Sequence, residues 1–98
     1  SKGGVVALSR QMALDLARDR IRVVPVIPGA VDTPMLRAHA ERQHTTLEAL
    51  GFHSSPTAIG RIGSPEEMAA ALAWLASDDA SFVNASPIVV DGGLLARL

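Results

Sequence analysis

The chain has 98 residues, of which 48% are hydrophobic and 19% charged, a balance that suits one small globular domain or part of one and excludes an intrinsically disordered segment. Its formal net charge is −1, and its 9 basic residues are scattered along the chain, so no cationic stripe is present to neutralise a run of phosphates and nucleic acid is excluded as an expected partner. Apolar runs stop far short of the roughly 20 residues of a membrane span, and the absence of cysteine excludes disulfides and thiolate metal sites and fits a cytoplasmic location.

The first element is an amphipathic helix over residues 1–19. Val5, Leu8, Met12 and Leu16 recur at spacings of three and four, with Arg10, Gln11, Asp15, Arg18 and Asp19 on the other side. The helical pattern is already running by Val5 in a chain that opens on Ser1, which leads us to expect a segment of a longer protein. Residues 21–27 follow as a nearly continuous β-branched run, the pattern of a strand covered on both faces of a parallel sheet. Pro25 interrupts it, because proline has no N–H for the ladder, and a local distortion or one lost bond is expected there.

Pro28-Gly29 ends that strand. Thr33 then caps a short helix, and Pro34 takes its first position, where the lost N–H is not needed; the helix should run over about residues 34–43. Thr45-Thr46-Leu47-Glu48 reads as a capping box for one further turn ended by Gly51. Residues 52–62 lack a period and contain Pro56 and Gly60, so an irregular, mobile connection is expected. Ser64-Pro65-Glu66-Glu67 is the clearest helix start, with Ser64 as cap and Glu67 reaching back to the cap amide. Met68, Leu72 and Leu75 mark the buried face of this helix, which should stop near Ser77-Asp78-Asp79. Ile88-Val89-Val90 supplies a second strand, and Asp91-Gly92-Gly93 turns the chain away. Two strands joined by a long helical crossover predict parallel pairing and an α/β fold.

Five motifs stand in order along the chain: Ser1-Lys2, Pro28-Gly29, Thr33-Pro34, Arg61 through Glu67, and Asp91-Gly92-Gly93. Together they resemble the carboxyl-terminal portion of a short-chain dehydrogenase/reductase, over essentially the whole chain. The resemblance implies the C-terminal part of a Rossmann-like, doubly wound parallel sheet, running helix, strand, lid helices, helix, strand. It implies a single partial domain over residues 1–98, with a substrate lid over about residues 34–55. It further implies an enzyme that uses NAD or NADP to interconvert an alcohol and a ketone or aldehyde, works on a small molecule, and assembles as a homo-oligomer through the first helix.

Residue by residue, the resemblance makes Lys2 the lysine of a Tyr-x-x-x-Lys motif, a catalytic group that also binds the nicotinamide ribose. Its tyrosine would precede Ser1, and the sequence contains no tyrosine. Pro28, Gly29, the backbone of Val31 and the hydroxyl of Thr33 would hold the nicotinamide, while Met35 and Leu36 would touch substrate from the lid. Taken without the resemblance, Lys2 reads as a solvated surface lysine and Thr33-Pro34 as a plain helix cap. Arg61 reads as a structural cation, and Gly60, Gly63, Gly92 and Gly93 as sites of positive backbone angles.

Two departures from the family pattern concern Val24-Pro25, where Asn-Ala is usual, and Asn84-Ala85, where Thr-Gly is common and where a differently shaped loop is expected. No G-x-G-x-x-G turn or Walker loop is present to cradle a pyrophosphate, so the choice between NAD and NADP is open. His39, His44 and His53 lack ligand spacing, and no metal is expected. Without the tyrosine, the 98 residues alone should be inactive, and two strands seldom make an independently stable sheet. The alternative reading is a non-catalytic α/β oligomerisation or interaction module.

Overall fold

The computed structural model describes residues 2–46 and 57–97. In chain order they form α1 (Lys2–Leu16) with a 3-10 turn at Ala17–Asp19, β1 (Val26–Pro28), α2 (Pro34–Arg42), α3 (Pro65–Ala76) with a 3-10 turn at Asp78–Ala80, β2 (Ile88–Val90), and a last 3-10 turn at Leu95–Arg97. Leu47 and Glu48 of the expected capping box, Gly51, and residues 52–56 of the expected irregular connection lie outside the described residues, as does the C-terminal part of the expected lid.

β1 and β2 pair as a small parallel sheet, as the strand, crossover, strand order requires. The Ile88 N–H donates to the Pro25 carbonyl at 2.9 Å, and the Gly29 N–H donates to the Val90 carbonyl at 3.1 Å. β1 is shorter than the run over residues 21–27 suggested, beginning only after Pro25. The proline ring removes the ladder donor, and the residues before it are satisfied differently. Val23 donates its N–H to Asn84 Oδ1 and accepts from the Ala85 N–H, both at 3.0 Å. Here a side chain takes the place of a ladder partner.

The chain divides into two compact units, Ser1–Ile27 with Ala71–Val89, and Pro28–Ala70 with Val90–Leu98. In the first, α1 and its 3-10 turn end where Arg20 enters the left-handed region at φ 60°. The Ile21 N–H reaches back to the Leu16 carbonyl at 3.3 Å and the Arg20 N–H to Ala17 at 3.0 Å, which closes the helix end. The Arg22 guanidinium donates to the carbonyls of Ser77 and Val83 and ties the start of the first strand segment to the residues after α3.

Ala13 is the buried residue of α1, whereas Val5 and Leu8 are 58% and 61% exposed. The apolar stripe read from the sequence is therefore exposed at Val5, Leu8 and Met12 and half-buried at Leu16. Of the face expected to be buried on α3, Leu75 is buried, Met68 half-buried, and Leu72 exposed. Strands of three residues offer too little sheet surface to cover helices of 15 and 12 residues.

The second unit is built around Ala40 and Ile62, with Ala30 and Leu36 packed against them. Burying a side chain the size of Ile62 is worth about 1.5–3 kcal/mol, and it holds α2 against the residues that precede α3. Ser64 and Glu67 form the expected reciprocal cap: the Glu67 N–H donates to Ser64 Oγ at 3.2 Å, and the Ser64 N–H donates to Glu67 Oε1 at 2.9 Å. Gly60, Gly92 and Gly93 have positive φ, as anticipated, but Gly63 does not. Gly63 serves instead as a bridge residue, with a consequence for the neighbouring loop.

Candidate functional site

β1 ends at Pro28, and the next residues are placed by two different partners. Gly29 is constrained by the turn after β2: a β-carbon built on it would stand 2.8 Å from Asp91 Cβ and 2.9 Å from Asp91 Cα. The space that a side chain would need at this glycine is thus occupied by Asp91. The Asp91 carboxylate is in turn fixed by the N–H groups of Gly93 at 2.9 Å and Leu95 at 2.8 Å. The Pro28-Gly29 and Asp91-Gly92-Gly93 motifs are two halves of one packing contact.

The loop then forms an isolated parallel bridge between Val31 and Gly63. Gly63 donates to the Ala30 carbonyl at 3.0 Å and accepts from the Asp32 N–H at 2.9 Å. Because backbone groups alternate in direction along an extended chain, this bridge leaves the N–H and C=O of Val31 itself turned to the opposite side.

Thr33 is extended at φ −121°, ψ 160°, and its Oγ1 accepts the Leu36 N–H at 3.2 Å as the cap of α2. Capping uses a lone pair of the hydroxyl and leaves its proton available to donate. Asp32 and Arg37 clamp the same corner through a bidentate pair at 2.6 and 2.7 Å.

An open groove of about 530 Å³ runs along this corner. It is lined by Pro28, Gly29, Val31, Thr33, Met35 and Leu36, so six of the residues singled out in the sequence come together on one surface. Lys2 opens α1 in the other unit and is exposed. Two lining residues, His39 and Arg42, fall in the expected lid but were not among the candidate site residues. The helical period carried the signal: Met35, His39 and Arg42 stand at i, i+4 and i+7 of α2 and share a face.

Arg61 is engaged structurally. Its guanidinium grips Glu67 at 2.8 and 2.9 Å and also donates to the Ile62 carbonyl. The Arg61 hydrogen bonds, joined by the Ser64 N–H, lower the Glu67 carboxyl from 4.5 to about 2. Thr57, buried beside it, accepts the Arg61 N–H and donates to the Arg61 carbonyl. His39 and His44 belong to no group of three or more potential metal ligands among the described residues, and His53 lies outside them.

The family model described as enoyl-(acyl carrier protein) reductase matches residues 1–95. Meso-2,3-butanediol dehydrogenase of Serratia marcescens is 44% identical over 96 residues, which cover 98% of this chain and 36% of that protein. Among solved structures, the aldohexose dehydrogenase of Thermoplasma acidophilum superposes with a TM-score of 0.83 at 37% identity, covering 98% of this chain and 39% of that one. A 3-oxoacyl-(acyl carrier protein) reductase of Brucella melitensis with bound NAD superposes with a TM-score of 0.75 at 28% identity, covering 94% and 30%. The chain belongs to the short-chain dehydrogenase/reductase family of oxidoreductases. It spans about a third of the length of the relatives it matches.

Proposed function

We propose that this chain is the C-terminal segment of an NAD(P)-dependent oxidoreductase that interconverts an alcohol and a ketone or aldehyde, and that it contributes the catalytic lysine, the nicotinamide-binding loop and the start of a substrate lid. The observation that carries the reading is the corner at residues 28–33. It presents the peptide groups of Val31 and the hydroxyl proton of Thr33 beside one groove. A carboxamide is both acceptor and donor, so it fits a peptide N–H, a peptide C=O and a hydroxyl, and these are the groups that would hold the nicotinamide end of the cofactor. Bound there, the cofactor supplies or accepts the hydride.

The protein's own part is to orient and to move a proton. Pro28 and Gly29 set the loop at the carboxyl end of β1, where open parallel sheets receive their ligands. Lys2 acts through charge. Its ammonium favours the ionised form of the neighbouring tyrosine of the family motif, lowering a phenol of ordinary pKa about 10 towards working pH so that it can pass a proton to or from the substrate oxygen. That tyrosine is not in this chain, and the 98 residues alone are expected to be inactive. A homo-oligomer and a cytoplasmic location go with the same reading, the first supported by the uncovered apolar residues of α1.

Lys2→Ala in the complete enzyme tests it. Removing a group that tunes the proton donor should lower kcat by about 10²-fold or more with the fold intact by circular dichroism. Unchanged turnover would remove Lys2 from the catalytic machinery, and no NAD(P)-linked activity in the unmodified enzyme would favour a non-catalytic interaction module.

A further inference from the structure

We propose that His39 and Arg42 form an anion-recognition site in the groove, and that the substrate is an alcohol or carbonyl compound carrying a carboxylate or phosphate some distance from its reacting carbon. This rests on the oxidoreductase reading and adds the substrate class to it.

The argument starts from charge. None of the described residues lining the groove is acidic, and its ionisable side chains are His39 and Arg42, in a chain whose net charge is −1. Three other arginines have assigned work, Arg22 on the carbonyls of Ser77 and Val83, Arg37 on Asp32 and Arg61 on Glu67, and Arg10, Arg18 and Arg20 line no part of this groove. Arg42 has no hydrogen-bond or ion-pair partner for its side chain among the described residues, and neither does His39. A guanidinium carries five donors in a planar fork suited to two oxygens of one carboxylate or phosphate, and imidazole adds an N–H. The two stand three residues apart, where helix side chains are neighbours with β-carbons about 5–6 Å apart.

Position along α2 sets the shape of the ligand. At about 1.5 Å of rise per residue, His39 and Arg42 lie roughly 9–13 Å along the axis from Thr33. Helical side chains lean back towards the N-terminus, so the bound anion would be closer to the loop than those backbones are. Met35 and Leu36 line the stretch between, which suits a short apolar spacer. The ligand is thus polar at both ends and apolar in the middle.

The test uses the complete enzyme with its cofactor. Hydroxy acids with spacers of increasing length, their methyl esters and the matching hydroxyalkyl phosphates are compared by kcat/KM, in the unmodified enzyme and in Arg42→Gln, Arg42→Lys and His39→Gln. The expected result is at least a tenfold preference for an anionic member over its neutral counterpart, largely lost in Arg42→Gln, partly kept in Arg42→Lys and reduced in His39→Gln. Comparison of acids with phosphates identifies which anion the site takes. Equal turnover of neutral and anionic members, no turnover of any anionic member, or an equal loss on both in Arg42→Gln overturns the anion site while the oxidoreductase reading stands. A complete enzyme that neither binds NAD(P) nor oxidises or reduces any alcohol or carbonyl compound overturns the oxidoreductase reading.

Discussion

Ala85 is held at φ 69°, in the left-handed region where a β-carbon crowds the following carbonyl. Its conformation is set from both sides: its N–H donates to Val23, Asn84 beside it accepts from the same residue, and the Ser86 N–H turns back to the Asn84 carbonyl at 2.8 Å. Replacing Ala85 by glycine removes a strain of about 1–2 kcal/mol. Against this, the unfolded chain gains freedom worth about 0.4–1 kcal/mol. A half-buried methyl group is also lost, at about 0.4 kcal/mol if half the full methylene value applies. The balance is a stabilisation of about 0.5 kcal/mol, which in a protein of about 150–250 residues raises Tm by about 1–2 °C. Ala85→Val should go the other way by 1 kcal/mol or more, since a β-branched residue is a genuine outlier at positive φ. Urea titrations of the three proteins, with m-values compared, provide the measurement. A stability order in which valine equals or exceeds glycine would refute the reasoning, because no relief of backbone strain can produce it.

Gly29→Ala should destabilise by about 1–3 kcal/mol, an overpacking cost. The added β-carbon meets the backbone and β-carbon of Asp91, which no rotamer change can move aside. Thermal unfolding checks it, and a neutral result would mean that the Gly29 and Asp91 segments can part freely. For Glu67, whose carboxyl is lowered to about 2 mainly by its Arg61 hydrogen bonds, the sign follows from the folded form binding its proton less readily. Its stabilising contribution is complete above the unfolded value near 4.5 and is lost as pH falls from there towards 2. The stability difference between the unmodified protein and Glu67→Gln should therefore be constant near neutrality and shrink across that acid window, as denaturant titrations at stepped pH will show.

Local chemistry was legible where one short stretch of chain decides the outcome. Ser64, Pro65 and Glu67 specify a helix start by themselves, and the reciprocal bonds between Ser64 and Glu67 match that reading. Thr33 and Pro34 do the same for α2, whose observed bounds differ from expectation by one residue. β1 was overestimated because a β-branched run reports burial and propensity, whereas a ladder needs a donor at every second residue, which Pro25 cannot offer. His39 and Arg42 were left out of the candidate site although both fall in the expected lid and their spacing from Met35 was visible, since a polar residue on a short helix reads as solvated until the opposite wall of a groove is known.

From the amino-acid order alone came the family, the sequence of elements and the starts of α2 and α3, all settled by contacts within a few residues or by motifs in a fixed order. Folding in three dimensions was needed to show that Gly29 makes room for Asp91, that Gly63 bridges Val31 and leaves its peptide groups turned the other way, and that Ala85 adopts a glycine-like angle. Each of these joins segments more than thirty residues apart, or depends on such a junction. Steric exclusion and hydrogen-bond direction at that range belong to the packed chain and leave no periodic trace in its sequence.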